Sequence, residues 1–162
     1  MKSSFRLAAV MAFAICFGAP QASAAIINYV VPLSGANEVP SGSGDPDGSG
    51  TALLTIDSVA LTISWNISVS NLDTVILDHI HSGAAGVNGS VIIDFSGALV
   101  GGPISDADVA AVVANPVNFY VNVHTNTFQN GAIRGQVPEP GTALLLGTGL
   151  VGLAVSTWRR AR

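Results

Sequence analysis

A run of alternating hydrophobic and polar residues, "LTISWNISVSNL", lies near the middle of the chain. Its hydrophobic positions are Leu61, Ile63, Trp65, Ile67 and Val69. Successive side chains of a β-strand point to opposite faces of the sheet, so a two-residue period places all of these on one face. The pattern predicts a strand with one face buried and the other in water.

Six further segments predict strands, because they are rich in β-branched and aromatic residues and are bounded by Gly, Asn, Asp or Pro. They are "IINYVVPLSG", "TALLTID", "TVILDHIHSG", "SVIIDFSG", "NFYVNVHTN" and "GAIRGQV". One segment, "SDADVAAVVANP", departs from this rhythm. We expect a short helix in this segment, capped at its start by Ser105 with Asp108 three residues later. Asn115 and Pro116 are expected to end the helix.

The predicted elements together indicate the fold class. Many short strands with turn residues between them are typical of a sandwich or a partly closed barrel. We therefore predict an all-β domain, an antiparallel, Greek-key-like β-sandwich of about seven strands with one short crossover helix. A signal helix and a C-terminal transmembrane helix are expected to flank it.

Residues 1–24 have the three parts of a secretory signal peptide. Lys2 and Arg6 precede an apolar run over residues 7–19, and small residues occupy positions 22–24. The apolar run is too short for a membrane-spanning helix of about 20 residues. We expect signal peptidase to cleave between Ala24 and Ala25.

The other end of the chain predicts a transmembrane helix over residues 142–158. This segment carries no charged side chain, and a basic tail follows at residues 159–162. At about 1.5 Å per residue the segment just spans a hydrocarbon core of about 30 Å. The arginines after it indicate a cytoplasmic end.

The motif Pro138, Glu139 and Pro140, followed by the apolar segment and the basic tail, resembles the PEP-CTERM sorting signal. That resemblance implies recognition by an exosortase and cleavage near the motif. It also implies export in bacteria that release polysaccharide and surface proteins together. The protein would then pass through an inner-membrane intermediate and end at the cell surface or outside the cell.

Residues 25–137, between the two ends, have the size of one domain. Arg134 is the only basic residue there, against nine acidic ones. The acidic residues are Glu38, Asp45, Asp47, Asp57, Asp73, Asp78, Asp94, Asp106 and Asp108. Such a surface argues against nucleic acid as a partner and favours cations. The only cysteine, Cys16, lies in the signal peptide, so this domain forms no disulfide.

The segment "GANEVPSGSGDPDGSG" is rich in Gly and Pro and predicts a solvated loop. Asp45 and Asp47 form the D-x-D pair with which calcium loops begin. The later glutamate and the spacing of an EF-hand are missing, so calcium is the lesser alternative.

The three histidines all lie in predicted strands. His79 and His81 are two residues apart, so they share one face of a strand at a spacing of about 7 Å. His124 can supply a third imidazole from a neighbouring strand, and three imidazoles suffice for a zinc or copper site. The alternative is a hydrogen-bonded network of Asp78 and the imidazoles that fixes the next loop without metal.

Four segments occur in an order that resembles the CHRD domain, a module named from chordin. They are "LSGANEVP", "GSGTALLTID", "LDHIHSGAAGVNGSVIIDF" and "NPVNFYVNVHTNTFQNGAIRGQV". The resemblance covers nearly all of residues 25–137. It implies an all-β sandwich, an association with extracellular binding, and no established enzymatic activity in bacteria.

The layout of "HIHSGAAGVNG" and the later "VHTNTFQNGAIRGQV" is similar to copper/zinc superoxide dismutase. That similarity implies His79, His81 and His124 as metal ligands, with Cu or Zn as the cofactor. The chain departs from that family because it has no further histidine to bridge two metals and no cysteine pair. Arg134 also lies in the last predicted strand. These departures argue against redox cycling even with a metal bound.

The sequence thus predicts a signal peptide over residues 1–24, a CHRD domain over residues 25–137 and a PEP-CTERM sorting signal over residues 138–162. The predicted function is that of an exported surface or exopolysaccharide-associated binding or structural module without turnover. Its predicted partners are signal peptidase, exosortase, the inner membrane, and exopolysaccharide or surface proteins. The alternative is a Cu- or Zn-binding protein with a three-histidine site and chemistry like that of superoxide dismutase.

Overall fold

The computed structural model describes residues 25–140. The predicted signal peptide, including Ala24, and the predicted transmembrane helix and basic tail lie outside these residues. Ala25 is exposed. Within residues 25–140, no helix is both long and apolar enough to cross a membrane.

Eight β-strands and one α-helix form the described part of the chain. The strands are β1 (Ile26–Ser34), β2 (Ser49–Asp57), β3 (Thr62–Ser70), β4 (Val75–Ser82), β5 (Val91–Asp94), β6 (Val100–Ser105), β7 (Phe119–Thr125) and β8 (Ile133–Gln136). Helix α1 (Val109–Ala114) connects β6 to β7. Short 3-10 helices span Gly35–Asn37 and Pro116–Asn118.

The strands form one antiparallel sheet in the order β5-β4-β7-β8-β1-β2-β3-β6. Long ladders join β1 to β2 and β2 to β3. In contrast, β1 and β8 share a single pair of residues, Ser34 and Arg134. The sheet therefore consists of two four-stranded halves that meet at one narrow point, and the chain crosses between them after β3, β5 and β6.

The two halves curl toward each other over one hydrophobic core. Trp65 of β3 stacks on Phe95, which follows β5, with ring centroids 4.1 Å apart and an angle of 12° between the rings. Because β3 and β5 lie near opposite edges of the sheet, this contact closes the curl. Both halves and the helix contribute to the core, with side chains that include Val31, Leu54, Ile56, Ile63, Ile80, Ile93, Val112, Val121, Val123 and Ile133.

The predicted all-β antiparallel class is confirmed, with eight strands in place of about seven. The additional strand is β6, whose sequence VGGPIS contains two glycines and a proline. Those residues are typical of turns, so the pattern does not predict a strand there. In the fold, β6 lies at the edge of the sheet, where proline is tolerated because one side of the strand needs no ladder hydrogen bonds.

The short helix between β6 and β7 is confirmed, but its predicted cap is wrong. Ser105 ends β6, and the helix begins after Asp108 without a side-chain capping hydrogen bond. The Asp106 carboxylate instead accepts a hydrogen bond from the Asp108 amide. Val109 and Val112 are fully buried, so packing of one helix face against the core stabilises this short helix.

Loops cover the face of β4 and β7 that points away from the hydrophobic core. Central residues of both strands are buried on both faces. The covering loops are residues 35–48, 83–90 and 126–131. Asn88 Nδ2 donates to the Val39 carbonyl at 2.9 Å, and the Asp45 amide donates to the Ala132 carbonyl at 2.9 Å. Polar side chains on this covered face therefore lie in an enclosed space.

Candidate metal centre

The pairing of β4 with β7 brings the three histidines onto the covered face. His79 lies opposite Asn122, and His124 lies opposite Leu77. His81 lies opposite Tyr120. Directly opposed residues of an antiparallel pair have their side chains on the same face, and so do residues two apart along a strand. The register therefore places all three imidazoles side by side.

The ligand nitrogens of His79, His81 and His124 converge on one point. One nitrogen of each ring lies within 4.8 Å of the corresponding nitrogens of the other two. The ring centroids of His79 are 5.4 Å from His81 and 5.1 Å from His124. Metal–imidazole bonds of about 2.0 Å place nitrogens about 3 to 4 Å apart around a tetrahedral ion. Small side-chain movements suffice to close this cluster around one ion.

Two of the three rings, those of His81 and His124, are held by a hydrogen bond through their second nitrogen. His81 Nδ1 lies 3.1 Å from the Gly89 carbonyl oxygen, and His124 Nδ1 lies 3.0 Å from the Gln129 carbonyl oxygen. A carbonyl accepts only from a protonated nitrogen, so these contacts keep the proton on Nδ1 and leave a lone pair on Nε2. His79 Nε2 lies 3.6 Å from the Asp94 carboxylate, which is too long for a hydrogen bond, so this ring is held less firmly than the other two.

The remaining nitrogen of each ring is buried and has no hydrogen-bond partner in the described part of the chain. These atoms are His79 Nδ1, His81 Nε2 and His124 Nε2. Buried polar atoms in native proteins nearly always have a partner. One anchored nitrogen and one free nitrogen, as His81 and His124 have, is the arrangement of metal-binding histidines, in which an outer partner fixes the ring.

Burial lowers the pKa of all three imidazoles. Desolvation is the largest cause for His79, His81 and His124, and for His79 the neighbouring His124 adds to it. The neutral ring is the form that binds a metal, because protonation removes the lone pair. The site therefore keeps its imidazoles in the metal-binding form at neutral pH.

Asp78 does not join the imidazoles, so the predicted network of Asp78 and histidines is wrong. Its register partner is the core residue Val123, which places Asp78 on the face opposite His79 and His81. Neither carboxylate oxygen forms a hydrogen bond with the residues that the structure describes. Desolvation raises the pKa of Asp78 to about 6, and the nearby charge of Asp94 acts in the same direction.

A buried carboxylate that the pattern does not single out, Glu38, lies beside the histidine face. It is 4% exposed although it belongs to a Gly-rich loop. Gly44 and Gly131 make room for it, since a Cβ on Gly131 would lie 2.7 Å from both carboxylate oxygens. Desolvation raises the pKa of Glu38 to about 7, while the charge of Arg134 lowers it.

Arg134 fixes the loop over the site. Its guanidinium donates to Asn88 Oδ1 at 3.0 Å and to the Ala84 and Val87 carbonyls at 3.1 and 2.8 Å. It also lies 3.3 Å above the centre of the Tyr120 ring. The other face of Tyr120 stacks on His81 at 4.9 Å. The sequence offered one signal for this residue, because Arg134 is the only Lys or Arg in residues 25–137.

A pocket of about 340 Å³ adjoins the cluster and is lined by His81, Tyr120, Asn122 and Asn130 among others. A second pocket, of about 460 Å³, lies beside it and is lined by Glu38, Arg134 and neighbouring loop residues. Val39 borders both pockets. Small ligands can therefore reach the histidine face from its rim.

The loop of residues 35–48 is exposed over much of its length, as predicted, but Asp45 does not face the solvent. Asp45 is buried, and its Oδ1 accepts hydrogen bonds from the amides of Asp47 and Gly48. These bonds make a turn that the aspartate itself stabilises.

The predicted processing residues lie just after β8. Pro138 and Glu139 are exposed, and Pro140 is half-buried. They follow Val137, which is fully buried. The motif therefore begins where the packed domain ends.

The fold defines an all-β antiparallel domain, and the comparisons give its family. The family model of the CHRD domain matches residues 29–137, so the chain belongs to the CHRD domain family. Residues 136–160 match the PEP-CTERM protein-sorting motif, which implies processing by an exosortase, export and sorting to the cell surface. Neither the curated proteins nor the solved structures contain a match.

Proposed function

We propose that this exported CHRD protein binds one copper or zinc ion through His79, His81 and His124. The observation that carries the proposal is the convergence of three buried imidazole nitrogens, none of which has a hydrogen-bond partner among residues 25–140. An unpaired buried polar atom costs about 1 to 3 kcal/mol, and a metal ion would satisfy all three at once. The anchored second nitrogens support the same reading.

The donor set favours copper and zinc over hard cations. Three neutral imidazole nitrogens suit Zn(II), Cu(II) and Ni(II), whereas calcium and magnesium prefer oxygen ligands. In the usual order of stability, Cu(II) binds such a site more tightly than Zn(II) does. We therefore expect Cu(II) to displace Zn(II) in a competition at equal concentrations.

The C-terminal segment supplies the proposed route to the cell surface. We propose that residues 142–158 span the inner membrane only until an exosortase cleaves near Glu139. The matched sorting motif supports this order of events. The domain would then stay at the surface or enter the exopolysaccharide, carrying its metal site with it.

The decisive experiment is metal analysis of the exported protein, purified without a histidine tag. Added Cu(II) or Zn(II) should bind with a stoichiometry near one and raise the melting temperature, because only the folded protein has the site. A protein with neither bound metal nor a thermal shift on addition of either ion would contradict the proposal.

Association with exopolysaccharide is a second candidate function, favoured by the exposed face of β1, β2, β3 and β6. Val30 and Leu53 are exposed partners across β1 and β2, and Val100 is 66% exposed on β6. The other outward-facing residues of β2 and β3 on this face are mainly serine, threonine and asparagine. Co-sedimentation with isolated exopolysaccharide should detect the association, and Leu53→Glu should weaken it.

A further inference from the structure

Two buried oxygen atoms beside the histidines remain unpaired even when a metal satisfies the three nitrogens. They are Asn122 Oδ1 and Glu38 Oε1, neither of which has a hydrogen-bond partner within the described residues. Both side chains are at most 4% exposed. Both atoms accept hydrogen bonds and cannot donate them in the amide and carboxylate forms. The site therefore lacks a donor on this side.

Asn122 is the closer of the two to the proposed metal. It lies directly opposite His79 across β4 and β7, and it precedes His124 by two residues on the same face. Opposed Cβ atoms are about 5 Å apart. The amide oxygen of Asn122 is buried and has no partner among the described residues, so it can accept a hydrogen bond on the face that carries the histidines.

The coordination shell has room for one more ligand on that side. Three protein ligands are the number found at catalytic zinc sites, where the fourth position holds an exchangeable water. Asp94 does not complete the shell, because its carboxylate is 58% exposed and lies on the side of His79 Nε2, at 3.6 Å, and not on the side of the free Nδ1. The pocket of about 340 Å³ that His81 and Asn122 share leads from this position to the surface.

We propose that the metal keeps one exchangeable coordination position, and that a water bound there donates a hydrogen bond to Asn122 Oδ1. This inference rests on the proposed metal site. Asn122 is then a positioning residue that selects ligands able to donate a hydrogen bond, such as water or an alcohol. Anions that can only accept are disfavoured, because they would meet the lone pairs of the amide oxygen.

The first test uses the exported protein after processing, loaded with one Cu(II) ion. Pulsed electron paramagnetic resonance in D₂O should show one strongly coupled, exchangeable water on the copper. Titration with azide should give a saturable change in the copper absorption spectrum as the anion replaces that water. A copper-loaded protein with no exchangeable deuteron and no response to azide would overturn the inference and leave the proposed metal binding standing. Failure to bind copper at all would instead remove the proposed function.

The second test compares Asn122→Leu with Asn130→Leu. Leucine has the same branched heavy-atom skeleton as asparagine, with two larger methyl groups, but it cannot accept a hydrogen bond. Loss of one hydrogen bond of about 1 kcal/mol from the competing water should tighten azide binding about fivefold in Asn122→Leu. Asn130 lines the same pocket, so Asn130→Leu should change the azide affinity by less than about twofold. Both variants should retain one copper ion.

The direction of the change decides the role of Asn122. Weaker azide binding in Asn122→Leu would mean that the amide donates to the bound ligand, and unchanged binding would mean that it does not touch the ligand. Either result overturns the inference. If Asn122→Leu does not fold, the detection of an exchangeable water on the copper of the parent protein still tests the inference.

Discussion

The ring centroids of His79 and His124 lie 5.1 Å apart, although β5, β6 and α1 separate their two strands along the chain. His124 is the only ligand candidate from β7, and His79 and His81 both come from β4. A two-residue H-x-H pair occupies one side of a metal, so the remaining imidazole decides whether the ion is enclosed.

We therefore expect His124→Ala to lower the Cu(II) affinity by about 100-fold or more. Loss of an outer-shell partner alone costs about 10- to 100-fold, and loss of a ligand should cost at least as much. Leu77→Ala is the matched control, because Leu77 lies opposite His124 and is 41% exposed. Competition against a chelator of known affinity measures both variants. Equal affinities of His124→Ala and the parent protein would contradict the assignment, and an unchanged circular dichroism spectrum would confirm that the variant is folded.

The pH dependence of metal binding should reflect the burial of the imidazoles. An exposed histidine has a pKa near 6.5, and desolvation lowers the pKa of His79, His81 and His124. A proton competes with the metal only below the pKa of the free ring. The Cu(II) dissociation constant should therefore stay level down to pH 6.5 and rise only at lower pH. A marked rise that begins above pH 7 would contradict the burial of the three rings.

Glu38 should make the stability of the metal-free protein depend on pH. Its pKa is raised from 4.5 in the unfolded chain to about 7 in the fold. Its contribution to stability is therefore fully present below pH 4.5 and is lost as the pH rises through about 7. Glu38→Gln removes this loss and should stabilise the protein by roughly 2 to 3 kcal/mol at pH 8. Urea unfolding at several pH values between 4 and 8 measures how the free energy of unfolding changes with pH.

Asp57→Asn is the control for that experiment, because Asp57 lies at the end of β2 and accepts hydrogen bonds from the Val59 and Ala60 amides at the surface. Asp57→Asn should leave the change of unfolding free energy between pH 4 and pH 8 as large as in the parent protein. If Glu38→Gln is less stable than the parent protein at pH 8, the attraction of Glu38 to Arg134 outweighs its desolvation, and the predicted sign is wrong.

The contact of Trp65 with Phe95 should contribute strongly to the stability of the curl. Phe95 is fully buried, and truncation of a buried aromatic side chain costs about 3 to 5 kcal/mol. Phe95→Ala should lower the free energy of unfolding by that amount, and Phe95→Leu by less. Val100→Ala, at a 66% exposed position on β6, should change it by less than about 0.5 kcal/mol. A loss below 1 kcal/mol in Phe95→Ala would show that the two halves of the sheet hold together without this stack.

Processing should remove the C-terminal segment. Pro138 and Pro140 prevent a regular helix from starting directly after β8, so the motif forms an extended, accessible hinge. Mass spectrometry of surface material should find a C-terminus near Glu139. A strain without the exosortase is the control and should retain the intact tail in the membrane fraction. Recovery of the tail "RRAR" from the surface of the parent strain would contradict the proposed cleavage.

The local sequence was sufficient for the strands and for part of the site. The alternation over residues 61–69 predicts β3 because the two-residue period is a property of the strand itself. The same period is enough to put His79 and His81 on one face. β6 was the exception, because a proline and two glycines are compatible with a strand only at an edge, and the edge depends on the order of strands.

Only the tertiary structure decided whether the site closes. His124 reaches the other two rings because β7 pairs with β4 in a register that sets it opposite Leu77, and a slip by one residue would turn it into the core. The burial of Glu38 and the anchoring of His81 by Gly89 likewise depend on loops that fold over the sheet from distant positions. Sequence periodicity reports the face of one strand, whereas convergence at a point depends on long-range pairing that no single segment encodes.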